Sequence, residues 1–180
     1  MHERRYSGTV ERLRLPERLA LLEVDRVVTL AMEGSVSTTV LDVGTGSGVF
    51  AEAFLREGLR VTAIDPNPEM LEAAKDFVPT ATFIPGTVEN LPFEDRSFDL
   101  VFLGLVLHES DDLNKALREA RRCAIRRVSV LEWPYREEEI GPPLHHRLRA
   151  EDIVKGAAAI GLTRIETVQL NHLLLFQCTS

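Results

Sequence analysis

Three glycines in five positions, Gly44, Gly46 and Gly48, follow a short apolar run that carries one acid, Asp42. Val40 to Val43 has the length and character of a fully buried strand. After the glycines, Val49, Phe50, Ala53, Phe54 and Leu55 recur at helical spacing. A strand therefore passes through a glycine turn into a helix. Glycine lets the chain bend sharply there and brings bare backbone next to a ligand. The helix start offers N–H groups to a carboxylate or phosphate. The dinucleotide pattern G-x-G-x-x-G needs a third glycine where this chain has Val49. A carboxylate at Asp42 suits a ligand with an amino group and repels a pyrophosphate. Taken alone, the loop has a second reading, a tight strand-to-helix turn with no ligand.

Asp65 closes the next apolar run, Arg60 to Ile64, about twenty residues after the loop. An acid at that distance can accept both hydroxyls of a ribose. Its other reading is a helix cap or turn acid, but Asn67, followed by Pro68 at the first helical position, already fills the cap role. Four residues are candidates for moving a proton: His108, Glu132, His145 and His146, all near strand ends or in the connection after the fifth strand. The adjacent His145 and His146 lack further spaced ligands, so no metal is expected.

The stretch from Val40 to Phe50 resembles motif I of the class I S-adenosylmethionine-dependent methyltransferases, of the methyltransferase type 11 or UbiE-like kind. Two more stretches carry the resemblance. One is Asp65 with Pro68-Glu69-Met70-Leu71; the other runs from Phe98-Asp99-Leu100-Val101 to Leu107-His108. The likeness extends from about Val36 to Cys178. It implies an α/β, Rossmann-like, doubly wound and mostly parallel seven-stranded sheet. The strand order would be 3-2-1-4-5-7-6, with an antiparallel strand in a C-terminal hairpin.

The resemblance also implies a set of cofactor contacts. Gly44, Thr45, Gly46 and Gly48 would pass under the methionine part of S-adenosylmethionine. Asp42 would support that loop and favour the ammonium. Asp65 would hold the ribose. Pro66 and Met70 would pack on the adenine, with core packing as the alternative for Met70. Thr87 takes the place of the family's usual acid at the adenine edge, beside the backbone N–H of Val88. Gly104 and Leu105 would line the pocket around the methionine part. The family's Pro-Gly-Gly turn before the fifth strand is missing; Ala124-Ile125 stands there, so a tighter turn is expected.

These residues need a scaffold. Pro16 to Met32 reads as the first helix, with Leu15, Leu19, Leu22, Val27 and Leu30 as its apolar stripe. Residues 1–14 are polar and read as an arm over the active site or a disordered tail, in which Tyr6 is the residue to watch for ligand contact. Ala81 to Ile84 reads as a third strand and Val128 to Leu131 as a fifth. A helix through Arg122 begins at Asp111-Asp112. The arginines Arg121, Arg122, Arg126 and Arg127 read as a helix end and a solvated strand entry. Residues 133–149 form a long connection with two histidines, a tyrosine and the chain's one tryptophan, and read as a substrate lid or, alternatively, as a surface loop that Gly141-Pro142-Pro143 only stiffens. Ala150 to Ile160 is the last helix. Leu162 to Val168 and His172 to Thr179 are the last strands.

Composition bounds the function classes. At 180 residues, 1–180 reads as a single domain. A net charge of −7 disfavours a nucleic-acid partner, which needs a basic face. Cys123 and Cys178 are too far apart for a C-x-x-C site, and reduced thiols suit a cytoplasmic protein. The N-terminal stretch has no apolar core of a secretory leader, and no run of about 18 apolar residues suggests a membrane span. The expectation is a methyltransferase with a small-molecule acceptor, monomeric or homodimeric. The alternatives are a cofactor-binding regulatory or scaffold protein without turnover and, opposed by Asp42 and Val49, an NAD-dependent dehydrogenase.

Overall fold

The apolar runs assemble into one seven-stranded sheet. Its strands are β1 (Thr39–Val43), β2 (Arg60–Asp65), β3 (Thr82–Pro85), β4 (Phe98–Gly104), β5 (Ala124–Glu132), β6 (Arg164–Gln169) and β7 (Leu174–Thr179). The computed structural model describes residues 6, 8–34 and 36–180, so 1–5 and 7 of the expected arm lie outside the described residues. The spatial order is β3-β2-β1-β4-β5-β7-β6. β3 to β5 are linked by parallel pairs, and β7 lies antiparallel between β5 and β6. This is the expected fold and order. The order reverses at β1, between β2 and β4, and in such sheets a ligand crevice opens beyond the carboxyl ends of the strands at that point.

Alternating residues feed two layers. Val40, Leu100 and Phe102 share one buried layer with Val27 and Val28 of α3 (Val24–Met32) and Phe50 and Phe54 of α4 (Val49–Arg56). Leu41, Val43, Val101 and Leu103 share the other with Leu117 and Ala120 of α6 (Leu113–Cys123) and Ile153 and Ala157 of α7 (Ala150–Ala159). Because both faces are covered, the central strands are apolar throughout rather than alternating. Between β2 and β3, α5 (Pro68–Phe77) starts as expected: the Asn67 side chain accepts the Glu69 N–H at 2.9 Å.

Three boundaries differ from the sequence reading. The first helix is two, α2 (Pro16–Leu22) and α3, broken at Glu23, which sits at φ +48°. Glu23 spends its carboxylate on the Asn171 N–H at 2.8 Å and on Arg26, so a tertiary contact fixes the break. A further short helix, α1 (Val10–Leu13), lies within the arm. β5 begins four residues earlier than expected, because α6 ends at Cys123 and the strand starts at Ala124 with no intervening loop.

The arginines behave as structural groups. Arg122 donates to the carbonyls of Phe93 and Leu91 and pairs with Glu119, and Arg127 donates to the carbonyls of Ala31 and Glu33. Asp99, in the Phe-Asp stretch, ties the feet of β1 and β4. One of its oxygens accepts the Thr38 N–H at 2.9 Å and the Thr39 N–H at 3.2 Å. Partial burial works against its charge, but the Thr38 bonds, the Thr39 N–H and Arg126 hold the carboxyl down at about 2. Asp99→Ala should cost about 2 kcal/mol in urea unfolding at pH 7, a typical value for hydrogen bonds to a charged group. Because the folded pKa is depressed, this contribution is present above the ordinary value of 3.8 and is lost as pH falls through about 2.

Candidate active site

The glycine loop is fixed by its two neighbouring strand tips. The N–H groups of Gly44 and Thr45 donate to the Ile64 carbonyl at 2.8 and 3.1 Å. Asp65, at the end of β2, accepts the Gly46 N–H at 2.9 Å on one oxygen and the Asn67 N–H at 2.8 Å on the other. Gly44 and Gly46 have φ values of +74° and +51°, where a side chain is disfavoured. A Cβ on Gly44 would also stand 2.6 Å from a Val106 methyl. Packing and backbone conformation therefore demand glycine here as well as any ligand does.

A cavity of about 720 Å³ opens on this loop at the carboxyl edge. That is within the size range of small-molecule sites. Its walls bring together Gly44, Thr45 and Gly46, then Asp65, Pro66 and Met70, then Thr87 and Val88, then Gly104 and Leu105. Leu105 holds φ +58°, uncommon for a branched side chain, and its N–H is pinned to the Leu131 carbonyl at 2.9 Å. Two of the expected cofactor residues do not reach the wall. Gly48 turns toward α5, where an added Cβ would meet Ala74 at 3.1 Å. Asp42 is only 1% exposed and lies behind the loop, accepting the Thr45 hydroxyl at 2.7 Å. Burial pushes its carboxyl up to about 7, against the pull of the Thr45 bond. Asp42 thus supports the loop from behind, through Thr45.

Across the cavity, His108 follows β4 in a single 3₁₀ turn. Its Nδ1 lies 2.9 Å from Glu132 Oε2 and 3.1 Å from Oε1, with the ring 6% exposed. Glu132 is buried at the end of β5 and also accepts the backbone N–H groups of His108 and Trp133. A Nδ1–H donated to Glu132 leaves the lone pair on Nε2, which lies 4.0 Å from Glu109. Burial opposes the charged ring, yet the charge and hydrogen bond of Glu132, with Glu109 adding, raise the His108 pKa overall. Glu109, which the sequence reading passed over, also lines the cavity, and burial pushes it up to about 7. Of the other proton-transfer candidates, His146 lines the cavity, whereas Glu132 and His145 do not.

Two covers close the space. The arm lies on the glycine loop: Arg14 reaches the Ser47 carbonyl and Glu52, and the Tyr6 N–H donates to Glu109 at 3.0 Å. Tyr6 and Leu13 join the wall. The long connection after β5 is organised by one arginine that the sequence reading did not single out. Arg147, 4% exposed, donates to the carbonyls of Pro134, Arg136, Ile140 and Pro142 and to Glu138. Held this way, Trp133, Gly141, Pro142 and Pro143 face the cavity. Arg147→Ala should destabilise the fold by about 2–3 kcal/mol, since it strands buried carbonyls. Limited proteolysis of that variant should then cut within 134–147 before anywhere in the sheet.

Residues 41–129 match the methyltransferase-domain family. The chain belongs to this family. It is 38% identical over 111 residues to a demethylmenaquinone methyltransferase of Thermotoga maritima, covering 59% of this chain and 48% of that one. Against a malonyl-[acyl-carrier protein] O-methyltransferase of Erwinia pyrifoliae it is 37% identical over 98 residues, covering 54% and 37%. The chain thus spans half or less of the length of those curated relatives. A crystal structure of a SAM-dependent methyltransferase from Aquifex aeolicus has the same fold, with a TM-score of 0.79 and 24% identity over 94% of this chain and 95% of that one.

The family's cofactor is S-adenosylmethionine, and the walls of this cavity fit it. The Ser47 hydroxyl, on the cavity wall, is buried without a hydrogen-bond partner among the described residues. A buried hydroxyl in that state costs about 1–3 kcal/mol until a polar group meets it. Asp65 is oriented by two backbone donors at the same wall. Among the described residues, no group of three or more His, Cys, Asp or Glu is placed to hold a metal, and no helix is long and apolar enough to cross a membrane.

Proposed function

We propose that this protein moves a methyl group from S-adenosylmethionine to a small-molecule acceptor, with His108 as general base. One observation carries the reading: Asp65, braced on the glycine loop, and the His108–Glu132 pair open onto one covered cavity. When bound, the cofactor supplies a methyl group already activated by a positive sulfur. The chain's residues then have three tasks. Asp65 grips the ribose, while Thr87 and Val88 meet the adenine edge and Pro66 and Met70 its face. Arm and clasped loop align the reactants and exclude water, which is where most of the barrier reduction in such a displacement comes from. His108 Nε2 takes the acceptor's proton as the new bond to the methyl forms. Glu132 holds the imidazole in the required tautomer and steadies the charge it gains.

Relatives named for demethylmenaquinone and for malonyl-[acyl-carrier protein] support an organic, non-nucleic-acid acceptor. The acidic balance supports the lack of a nucleic-acid partner, and two free, buried cysteines support a cytoplasmic setting. The test is transfer of labelled methyl from S-adenosylmethionine to a panel of phenols, quinols, carboxylic acids and amines. Transfer to one class, suppressed by excess S-adenosylhomocysteine, supports the reading. Tight cofactor binding with no transfer to any class would instead make this a binding protein without turnover.

A further inference from the structure

We infer that Arg18 seats the α-carboxylate of the cofactor's methionine part. The inference rests on the reading just given and adds a residue that neither the glycine loop nor the family match includes. Arg18 and Leu22 stand one turn apart on α2, hence on one face of that helix. Both line the cavity. Leu22 belongs to the buried cluster that contains Phe50, and an added Cβ on Gly104 would touch Phe50 at 3.4 Å. Arg18 thus lines the same cavity as Phe50, Gly104 and the glycine loop, around which the methionine part is proposed to lie.

Arg12 also lines the cavity, and two other arginines around this site are engaged. Arg14 holds Glu52 and the Ser47 carbonyl, and Arg147 holds the loop after β5. The Arg18 guanidinium makes no hydrogen bond or ion pair with any described residue, although it is half-buried. Burial draws its pKa below the ordinary guanidinium value, so the cation is partly stripped of water without a counter-charge. A guanidinium in that state is completed by a carboxylate, which it can take through two parallel N–H bonds. The unpartnered Ser47 hydroxyl on the wall of the same cavity is a second polar group for this end of the ligand. The other source of a carboxylate is the acceptor itself, and the experiment separates the two.

The test is calorimetric titration of wild type and Arg18→Leu with S-adenosylhomocysteine and with 5′-methylthioadenosine, which keeps the adenosyl sulfur but lacks the amino acid. The variant should bind S-adenosylhomocysteine roughly tenfold to a hundredfold more weakly and 5′-methylthioadenosine as wild type does. Arg18→Lys should recover part of the loss. Equal weakening of both ligands would show a role in folding only and overturn the inference. So would unchanged binding of both, including the case where only the acceptor KM rises, which would assign the arginine to an acidic acceptor. Should wild type bind neither compound, the proposed function itself fails.

Discussion

Asp65→Ala should weaken S-adenosylhomocysteine binding at least tenfold, and by up to about a hundredfold, while the protein stays folded. A hydrogen bond to a charged group contributes about 1.5–3 kcal/mol, and the carboxylate is proposed to take two ribose hydroxyls. The variant also loses the acceptor for the Gly46 and Asn67 N–H groups, so the loop is loosened as its ligand contact disappears. Asp65→Asn separates the two effects. Its one amide oxygen can still receive the Gly46 N–H, but it offers the ribose no charge. Calorimetry with both variants should place Asn between wild type and Ala. Affinity that is unchanged in Asp65→Ala would remove the ribose assignment.

His108→Gln should slow methyl transfer by about 10²–10⁴-fold, the range spanned by general bases, and leave S-adenosylhomocysteine affinity where it was. The pH dependence gives a sharper reading. A base works only when neutral, so the rate should rise with pH and level off above the His108 pKa. The buried ring and Glu132 act in opposite directions, with the carboxylate prevailing, so the inflection lies above the ordinary 6.5. Glu132→Gln removes the larger opposing charge and leaves burial opposed by Glu109 alone, moving the inflection downward. The same pair stabilises the fold fully below the ordinary value, and that contribution fades as pH rises through the raised one. A rate profile insensitive to Glu132→Gln would take His108 out of the proton path.

The central sheet was legible because both of its faces are covered, which turns each inner strand into an unbroken apolar run such as Leu100 to Leu103. The cradle was legible because a strand, a glycine turn and a helix are contiguous in sequence, and Asp65 stands at a spacing set by the βαβ unit. Position along the chain did not show depth. Asp42 sits two residues before the loop and still ends behind it, bound to Thr45. The break at Glu23 left no trace: Leu15, Leu19, Leu22, Val27 and Leu30 fall on one helical face, and the contact that fixes the break comes from Asn171, far along the chain. Arg147 and Arg18 left none, because their roles depend on carbonyls and cavity walls brought from distant elements. Glu109 was hidden for the same reason, its raised pKa being a product of burial beside His108 and Tyr6.

The most direct measurement is a titration of the purified protein with S-adenosylhomocysteine, alongside NAD. Saturable binding of S-adenosylhomocysteine at one site per chain, competed by S-adenosylmethionine and absent with NAD, is the predicted result. Heat from NAD alone, or from neither compound, would contradict it.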